Sequence, residues 1–353
     1  MHRSLPDTAF ASREDHARCR AAIRSGSRTF FAASMLLPAS VRKPAFGLYA
    51  FCRLSDDAID VDGGSLHALE RLRDRLARAG EGRPLPFAAD RAMADVIGRF
   101  AIPRAVPEAL LDGLEWDARG RRYDSLPDLF DYAARVAGTV GVMMTLVMGV
   151  RDAAALARAC DLGVAMQLTN IARDVGEDAR AGRIYLPLDW LREAGIDPET
   201  FLASPVLGAP LKSVIARLLA EADRLYARAR AGIASLPPLC QPAVLAAAML
   251  YAEIGRELER LALDSVTLRA RVPRMRKAGL LARAVLATPW LKPAPPAPAL
   301  DAVAYLIAAV RAAPAPPLPR AAPALVQTPA PQFLRVLAIF ERLERAEEFG
   351  EQA

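Results

Sequence analysis

Residues 66–76 read LHALERLRDRL, which places leucines at positions 66, 69, 72 and 76. Apolar residues at intervals of three and four lie on one face of an α-helix, so this segment predicts an amphipathic helix. The same Ala-, Leu- and Arg-rich pattern continues along most of the chain and is interrupted by glycine and proline pairs such as Gly63-Gly64 and Pro237-Pro238. Alternating runs rich in Val, Ile and Thr are scarce. The sequence therefore predicts an all-α fold.

The composition is that of a globular protein. The chain has 353 residues, of which 53% are hydrophobic and 24% are charged, so it is too apolar to be disordered and long enough to bury a core. Its 46 Lys and Arg outnumber its 40 Asp and Glu, for a net charge of +6. Because the arginines alternate with acidic residues instead of forming blocks, no nucleic-acid partner is expected.

The sequence contains no recognisable targeting signal or membrane span. The four cysteines match no zinc or redox spacing, and residues 1–10 lack the apolar stretch of a secretory signal. Residues 136–150 are too few to span a membrane, and residues 231–252 are interrupted by prolines, so both are expected to form buried helices. We expect a cytoplasmic protein, with peripheral contact to the inner face of a membrane as an option.

Proline content divides the chain. Twelve of the 28 prolines lie in residues 289–331, mixed with alanine, which is typical of a linker. We predict a main domain in residues 1–288 and a linker in residues 289–331 that contains one short helix near residues 301–311. The last segment, residues 332–353, is predicted to form a C-terminal helix. The oligomeric state stays open.

Polar side chains form two stripes at helical spacing. The first stripe consists of Tyr49, Arg53, Asp56 and Asp60. The second consists of Gln167, Asn170, Asp174 and Asp178. Steps of three and four keep each set on one helix face, and a protein core does not bury such a face without partners. We therefore expect the two stripes to face each other across a helical bundle.

The chemistry of the stripes indicates a metal–diphosphate site. Paired carboxylates alone usually mark a solvated face, but four of them with an amide would concentrate oxygen ligands that suit Mg²⁺, which bridges readily to phosphate; Mn²⁺ is an alternative. Arginines near the stripes are candidates to clamp phosphate oxygens, and they are Arg28, Arg53, Arg173 and Arg183. For Arg28 and Arg183, surface ion pairing is the alternative.

The organic part of such a substrate is expected to be apolar. A metal-bound diphosphate is a good leaving group, so the chain attached to it must leave as a stabilised carbocation. Residues 136–150, with Gly138 and Gly141, are candidates to line a tunnel for that chain. The alternative is an ordinary core helix in which the glycines allow close packing.

Four blocks of sequence carry a family resemblance. They are SGSRTF at 25–30 with LLP at 36–38, YAFCR at 49–53 with DDAID at 56–60, Tyr132 with VAGTVG at 136–141, and QLTNIARDVGED at 167–178 with RIYLP at 183–187. Together they resemble the squalene and phytoene synthases, which join two prenyl diphosphates head to head. The resemblance extends over about residues 20–290 and implies an isoprenoid-synthase helical bundle with a central active-site cavity.

The resemblance also implies roles for individual residues. The implied Mg²⁺ ligands are Asp56, Asp60, Asn170 and Asp174, and Asp178 completes the second acidic motif. The implied diphosphate contacts are Ser27, Arg28, Tyr49, Arg53, Gln167 and Arg173. Tyr132 and Tyr251 match aromatic positions near the reacting carbons, where a ring or phenol stabilises a cation or moves a proton. Relatives often carry a second aromatic residue where this chain has Ala134.

Within the family, the sequence LYAFCR at residues 48–53 and the proline-rich tail most resemble those of the bacterial phytoene synthases. That resemblance implies geranylgeranyl diphosphate as substrate, a cyclopropylcarbinyl diphosphate intermediate and no NADPH. A squalene or dehydrosqualene synthase acting on farnesyl diphosphate is the first alternative. A head-to-tail prenyl synthase or terpene cyclase also fits the first acidic motif, but the second motif differs. A non-catalytic helical binding protein is the last alternative.

Overall fold

The computed structural model describes residues 9–61, 66–293 and 297–314 of the chain, apart from the side chains of residues 59–61 and 66. These residues form helices and connecting turns, with no strand among them, which confirms the predicted all-α class. The fifteen α-helices of this described part are α1 Arg13–Gly26, α2 Arg28–Ser34, α3 Ala39–Val61, α4 Leu66–Gly80, α5 Ala88–Phe100, α6 Ala105–Ala118, α7 Leu126–Ala133, α8 Thr139–Val147, α9 Ala153–Arg180, α10 Leu188–Glu193, α11 Pro198–Ala203, α12 Ala209–Ile233, α13 Gln241–Arg260, α14 Arg274–Ala287 and α15 Ala304–Ala312.

Helix α9 is the central element and carries the second polar stripe. It begins after Asp152, whose carboxylate accepts a hydrogen bond from the backbone N–H of Ala155 at 2.9 Å, and it continues for 28 residues. Its neighbour α8 approaches very closely, since a Cβ at Gly141 would lie 2.4 Å from the carbonyl oxygen of Ala159. A Cβ at Gly163 would likewise lie 2.4 Å from a carbonyl oxygen of the facing segment. Glycine at both positions allows the two backbones to touch.

The predicted apolar segment at residues 136–150 contains two helical forms. A π-helical turn at Ala134–Gly138 leads directly into α8, and α8 ends at Val147. The helix stops a little before the apolar run does because Gly149 adopts a left-handed conformation with φ of 81°. Turns of π-helix are frequent at functional sites, and this one lies beside the central cavity.

Helices α3, α8, α9, α12 and α13 surround that cavity. On one side, α1, α3 and α5 pack against one another, and on the other α9 packs along most of α12. Two clusters of buried apolar side chains flank the cavity and fix the helices around it. The architecture is the helical bundle with a central cavity that the sequence predicts.

A short helical segment follows α14 and lies where the sequence predicts one. A 3₁₀ turn at Asp301–Val303 leads into α15, and Val303, Leu306 and Val310 are buried. Helix α15 packs against α6, α8 and α9, so this part of the proline-rich segment covers the bundle. The predicted domain boundary at residue 288 stays a prediction, and the predicted C-terminal helix lies outside the described residues.

Candidate active site

The central cavity is long, apolar and polar at one end. It has a volume of about 340 Å³ and is lined mainly by helices. The lining residues of α9 recur at steps of one and three from Ala155 to Asn170, so one face of this helix follows the cavity for about 22 Å at 1.5 Å per residue. As predicted, Val136, Val140 and Gly141 line the same cavity.

Four polar side chains of the predicted site meet at one end of the cavity. They are Tyr49, Gln167, Asn170 and Tyr251. Tyr49 comes from α3 and the two amides come from α9, so the structure brings the beginnings of both stripes to the same opening. Tyr49, Gln167 and Asn170 are half-buried, so their polar groups remain accessible to a polar ligand group at this end of the cavity.

Helix α2 begins at this polar end. The hydroxyl of Ser27 accepts a hydrogen bond from the backbone N–H of Phe30 at 3.2 Å and also hydrogen-bonds Tyr251. The ring centroid of Phe30 lies 4.8 Å from that of Tyr251. Gly26 is needed because a Cβ there would lie 2.4 Å from the hydroxyl oxygen of Tyr49. The motif SGSRTF therefore packs around the two tyrosines that line the cavity.

Further along α9, the second stripe continues into charged residues. Arg173 donates from Nε to Asp174 at 2.7 Å and forms a second, shorter hydrogen bond to the same carboxylate. Arg269, from the loop after α13, lies 3.3 Å from Asp174 and also pairs with Glu177. Arg173, predicted to clamp phosphate, is thus engaged by a carboxylate in this structure, and Asp174 is held between two guanidinium groups.

Asp178 lies where its negative charge is destabilised. Burial raises the pKa of its carboxyl to about 7, the negative charge of Asp174 adds to the rise, and Arg183 opposes it. A carboxylate destabilised in this way gains from an added positive charge. Asp178 and Arg183 therefore lie together, close to Asp174, on the same side of the bundle.

The first stripe lies at a more exposed place. Arg53 donates from Nε to Asp57 at 3.1 Å and lies 4.0 Å from Asp56, whose side chain is 55% exposed. Asp57 is thus a partner of Arg53 that the predicted stripe omits. The side chain of Asp60 lies outside the described residues, so its place as a ligand stays a prediction.

Asp117 of α6 was not predicted as a site residue. Its carboxylate accepts hydrogen bonds from the hydroxyls of Tyr132 and Tyr185, both at 2.8 Å. Burial raises the pKa of Asp117 to about 6, although both hydroxyls and Arg183 lower it. Tyr132 is buried, and among the described residues it contacts Asp117 without lining the cavity, so its predicted catalytic role stays a prediction.

Asp117 links the two stripes electrostatically. The charge of Asp56, on α3, raises the pKa of Asp117, and the charge of Asp117 in turn raises the pKa of Asp178, on α9. Acidic groups from three helices thus act on one another at the polar end of the bundle. Tyr185 belongs to the RIYLP block, which carries the family resemblance, but the sequence predicts no role for this tyrosine.

A cationic group lies at the start of α2. Arg28 is exposed, and its charge, with that of Arg274, adds to the effect of burial in lowering the pKa of Lys277. Lys277 is half-buried. The sequence contains only four lysines, and this scarcity is the one feature of the sequence that could have indicated Lys277 as a site residue. These cations lie next to Ser27 and so extend the polar end of the cavity towards an anionic ligand.

The donor set fits a divalent cation that also binds phosphate. No three acidic, histidine or cysteine side chains within the described residues are placed to hold an ion unaided. Mg²⁺ commonly takes one or two carboxylates and completes its coordination with phosphate oxygens and water. The half-buried carboxyl of Asp178, close to the negative charge of Asp174, is the observation that fits such an ion.

Comparison with known proteins shows the family of this chain. The family model for squalene/phytoene synthase matches residues 23–276. The chain belongs to the squalene/phytoene synthase family. The matched region contains both polar stripes, Asp117 and Tyr251, whereas Lys277 lies one residue beyond it.

Relatives in the squalene/phytoene synthase family include two bacterial enzymes. A phytoene synthase of Cereibacter sphaeroides is 55% identical over 73% of this chain and 76% of its own length. A phytoene synthase of Rhodobacter capsulatus is 49% identical over 82% of this chain and 88% of its own length. A crystal structure of a dehydrosqualene synthase with bound ligand is 30% identical, covers 77% of this chain and 95% of that one, and superposes with a TM-score of 0.69.

Proposed function

We propose that this protein is a phytoene synthase that condenses two molecules of geranylgeranyl diphosphate head to head. The observation that carries the proposal is the cavity, which has polar groups at one end and an apolar interior of the length of a C20 chain. The identity with two bacterial phytoene synthases supports the same activity.

The length of the cavity favours a C20 over a C15 substrate. With about 1.25 Å per bond from tetrahedral carbon geometry, an extended geranylgeranyl main chain measures about 19 Å and a farnesyl chain about 14 Å. From Asn170 at the polar end, the lining face of α9 reaches Ala155 after fifteen residues, or about 22 Å. A C20 chain of about 19 Å would fill most of this distance, whereas a C15 chain of about 14 Å would leave about 8 Å of apolar wall, more than one helical turn, empty.

The chain's own residues would bind, orient and shield the substrate. Arg28, Arg53 and Lys277 supply positive charge for the diphosphate. A divalent cation held by Asp56, Asn170 and Asp174, with Asp60 as the remaining candidate, would neutralise diphosphate charge as the C–O bond breaks. Apolar side chains exclude water from the allylic cation, and the rings of Phe30 and Tyr251 lie at the polar end, where they would face that charge.

The proposed reaction has two stages and needs no reductant. Loss of diphosphate from one substrate gives an allylic cation, which attacks the C2–C3 double bond of the second substrate and loses a proton to give a cyclopropylcarbinyl diphosphate. A second loss of diphosphate, ring rearrangement and loss of another proton give phytoene. Holding both chains in one cavity supplies the orientation that this sequence of steps requires.

A product assay tests the proposal. Purified protein with Mg²⁺ is incubated separately with geranylgeranyl and farnesyl diphosphate, with and without NADPH, and the hydrocarbon is identified by mass spectrometry. We expect a C40 hydrocarbon from the C20 substrate whether or not NADPH is present. Turnover of the C15 substrate alone would contradict the proposal and favour a squalene or dehydrosqualene synthase, and a longer diphosphate product would favour a head-to-tail synthase.

We further propose that α14 and the turn after it contact an anionic membrane surface. No helix in the described part of the chain is long and apolar enough to cross a membrane. However, Met275, Leu286 and Trp290 are 76%, 60% and 75% exposed. Residues 265–300 contain seven Lys and Arg and no Asp or Glu. Exposed apolar side chains among cations are typical of a helix that lies in a lipid interface.

Vesicle sedimentation tests this contact. We expect the protein to sediment with phosphatidylglycerol vesicles but not with phosphatidylcholine vesicles, and to be released by about 0.5 M NaCl because salt screens surface charge. Replacing Met275 and Trp290 together by serine should weaken the association several-fold. The matched control is Val206→Ser, since Val206 is 68% exposed on a different loop. Equal sedimentation of both variants would contradict the assignment of the surface.

A further inference from the structure

The loop between α13 and α14 packs against α9 beside the second polar stripe. The backbone N–H of Gly176 donates to the carbonyl oxygen of Ser265 at 2.9 Å. A Cβ at Gly176 would lie 2.4 Å from the carbonyl oxygen of Val266, and Arg180 donates to that same oxygen at 3.0 Å. Glycine at position 176 therefore allows the loop to touch the helix backbone, and these two hydrogen bonds hold it there.

Asp264 fixes the shape of this loop. Its carboxylate accepts hydrogen bonds from the backbone N–H of Val266 at 3.1 Å and of Thr267 at 2.9 Å. Arg269 follows two residues later, and its side chain reaches back to α9, where it pairs with Asp174 and Glu177. Ion pairs between flexible surface side chains contribute little to stability. Here the loop is held on the helix, so Arg269 is kept beside the acidic stripe.

Both carboxylate oxygens of Asp174 are in contact with guanidinium groups. Arg173 donates to each of them, and one terminal nitrogen of Arg269 lies 3.3 Å from Oδ1 and 3.4 Å from Oδ2. A carboxylate offers about four lone-pair sites, and these contacts use all of them. A divalent cation therefore gains a site on Asp174 only when one of the two arginines withdraws.

Arg269 is the arginine that can withdraw. Its contacts to Asp174 are longer than the 2.7 Å contact from Nε of Arg173, and its side chain is 44% exposed, against 17% for Arg173. It also keeps an acceptor when it leaves Asp174, because its other terminal nitrogen pairs with Glu177. Arg173 can stay in place during this exchange.

We propose that Arg269 is a resident counter-cation of Asp174, which it gives up to a divalent cation while it stays paired with Glu177. This inference rests on the proposed function, since the metal site belongs to that reaction. Without the ion, Arg269 offsets the negative charge of the stripe and holds Asp174 in position. Displacing Arg269 costs binding energy, so Asp174 should bind a free cation weakly and a cation that brings diphosphate oxygens more readily.

Binding of Mn²⁺ to the full-length protein, measured by electron paramagnetic resonance without diphosphate, tests the proposal. Arg269→Gln removes the competing charge. We expect its dissociation constant for Mn²⁺ to fall about fivefold, because one unit charge acting on another at about 4 Å in water has an effect of that size. Arg269→Lys keeps the charge and should bind Mn²⁺ like the wild type.

The matched control is Arg256→Gln. Arg256 lies on α13, is 42% exposed and likewise bridges two carboxylates, those of Asp223 and Glu259, neither of which is a predicted ligand. The dissociation constant of this control should stay at the wild-type value. The melting temperature of Arg269→Gln should also change little, because the backbone contacts of the loop to α9 do not involve Arg269.

The outcomes separate this inference from the proposed function. An unchanged dissociation constant in Arg269→Gln, or an equal fall in Arg256→Gln, would overturn the role of Arg269. Failure of every variant to bind Mn²⁺ would overturn this role together with the metal site. The product assay decides the substrate independently: protein that forms no phytoene but shows the expected difference in Mn²⁺ binding would support the role of Arg269 and contradict the proposed function.

Discussion

Replacing Asp174 by asparagine is expected to lower kcat by about 10³-fold while the fold is retained. The carboxylate lies at the polar end of the bundle and is a predicted ligand of the cation that stabilises the departing diphosphate. Removing one preorganised electrostatic contact from a closed site typically lowers kcat by about 10²- to 10³-fold, and loss of a metal ligand acts on the same charge. Steady-state kinetics with geranylgeranyl diphosphate measure the effect.

The fold of this variant should persist because its partners keep acceptors. The asparagine carbonyl oxygen still accepts from Arg173, and Arg269 retains its ion pair with Glu177. Glu177→Gln is the matched control, since it also removes a carboxylate paired with Arg269 but one that is 58% exposed. We expect less than a threefold change in kcat for the control. Near-normal turnover of Asp174→Asn would contradict the assignment of the second stripe.

The sequence predicted the features that depend on local spacing. Helical periodicity gave the all-α class, and steps of three and four grouped Tyr49 with the first stripe and Gln167 with the second. The structure brings these two residues to one end of one cavity. The apolar run at residues 136–150 also lies where a tunnel wall was expected. The members of each stripe lie within a few turns of one helix, so periodicity groups them, whereas the meeting of α3 with α9 depends on the tertiary fold.

Features that depend on contacts between distant segments were not predictable in this way. Asp117 is one acidic residue among many on α6, and only the packing of α6 against α7 and against the segment after α9 brings Tyr132 and Tyr185 to it. Pro298 belongs to a segment whose composition indicates a linker, yet its carbonyl oxygen binds two arginines. Backbone acceptors leave no signal in the residue type.

The pairing of Arg173 with Asp174 shows a second kind of contact that helical spacing does not predict. Residues adjacent in a helix point in directions about 100° apart, so spacing arguments do not predict that they meet. The long guanidinium stem nevertheless curls back to the neighbouring carboxylate. The guanidinium keeps N–H donors that do not point to Asp174, so Arg173 can contact phosphate as predicted while it holds this carboxylate.

Replacing Asp117 by asparagine is expected to make the protein more stable, relative to wild type, at pH 7 than at pH 4. Burial raises the pKa of Asp117 from its ordinary 3.8 to about 6, so the folded state holds a proton that the unfolded state releases. The contribution of Asp117 to stability is therefore fully present below pH 4 and is lost as the pH rises through 6. From 1.36 kcal/mol for each pH unit, the loss between pH 4 and pH 7 is about 2 kcal/mol.

Asparagine has a similar shape and does not ionise, so its contribution stays constant over this range. The difference in unfolding free energy, variant minus wild type, should accordingly increase by about 2 kcal/mol from pH 4 to pH 7. Urea denaturation at both pH values measures it, with Asp112→Asn, a half-exposed position on the same helix, as the control that should show no such increase. A difference independent of pH would mean that Asp117 already ionises at its ordinary pKa. In that case, burial between the two tyrosines would not destabilise the charged form of Asp117 in the wild-type protein.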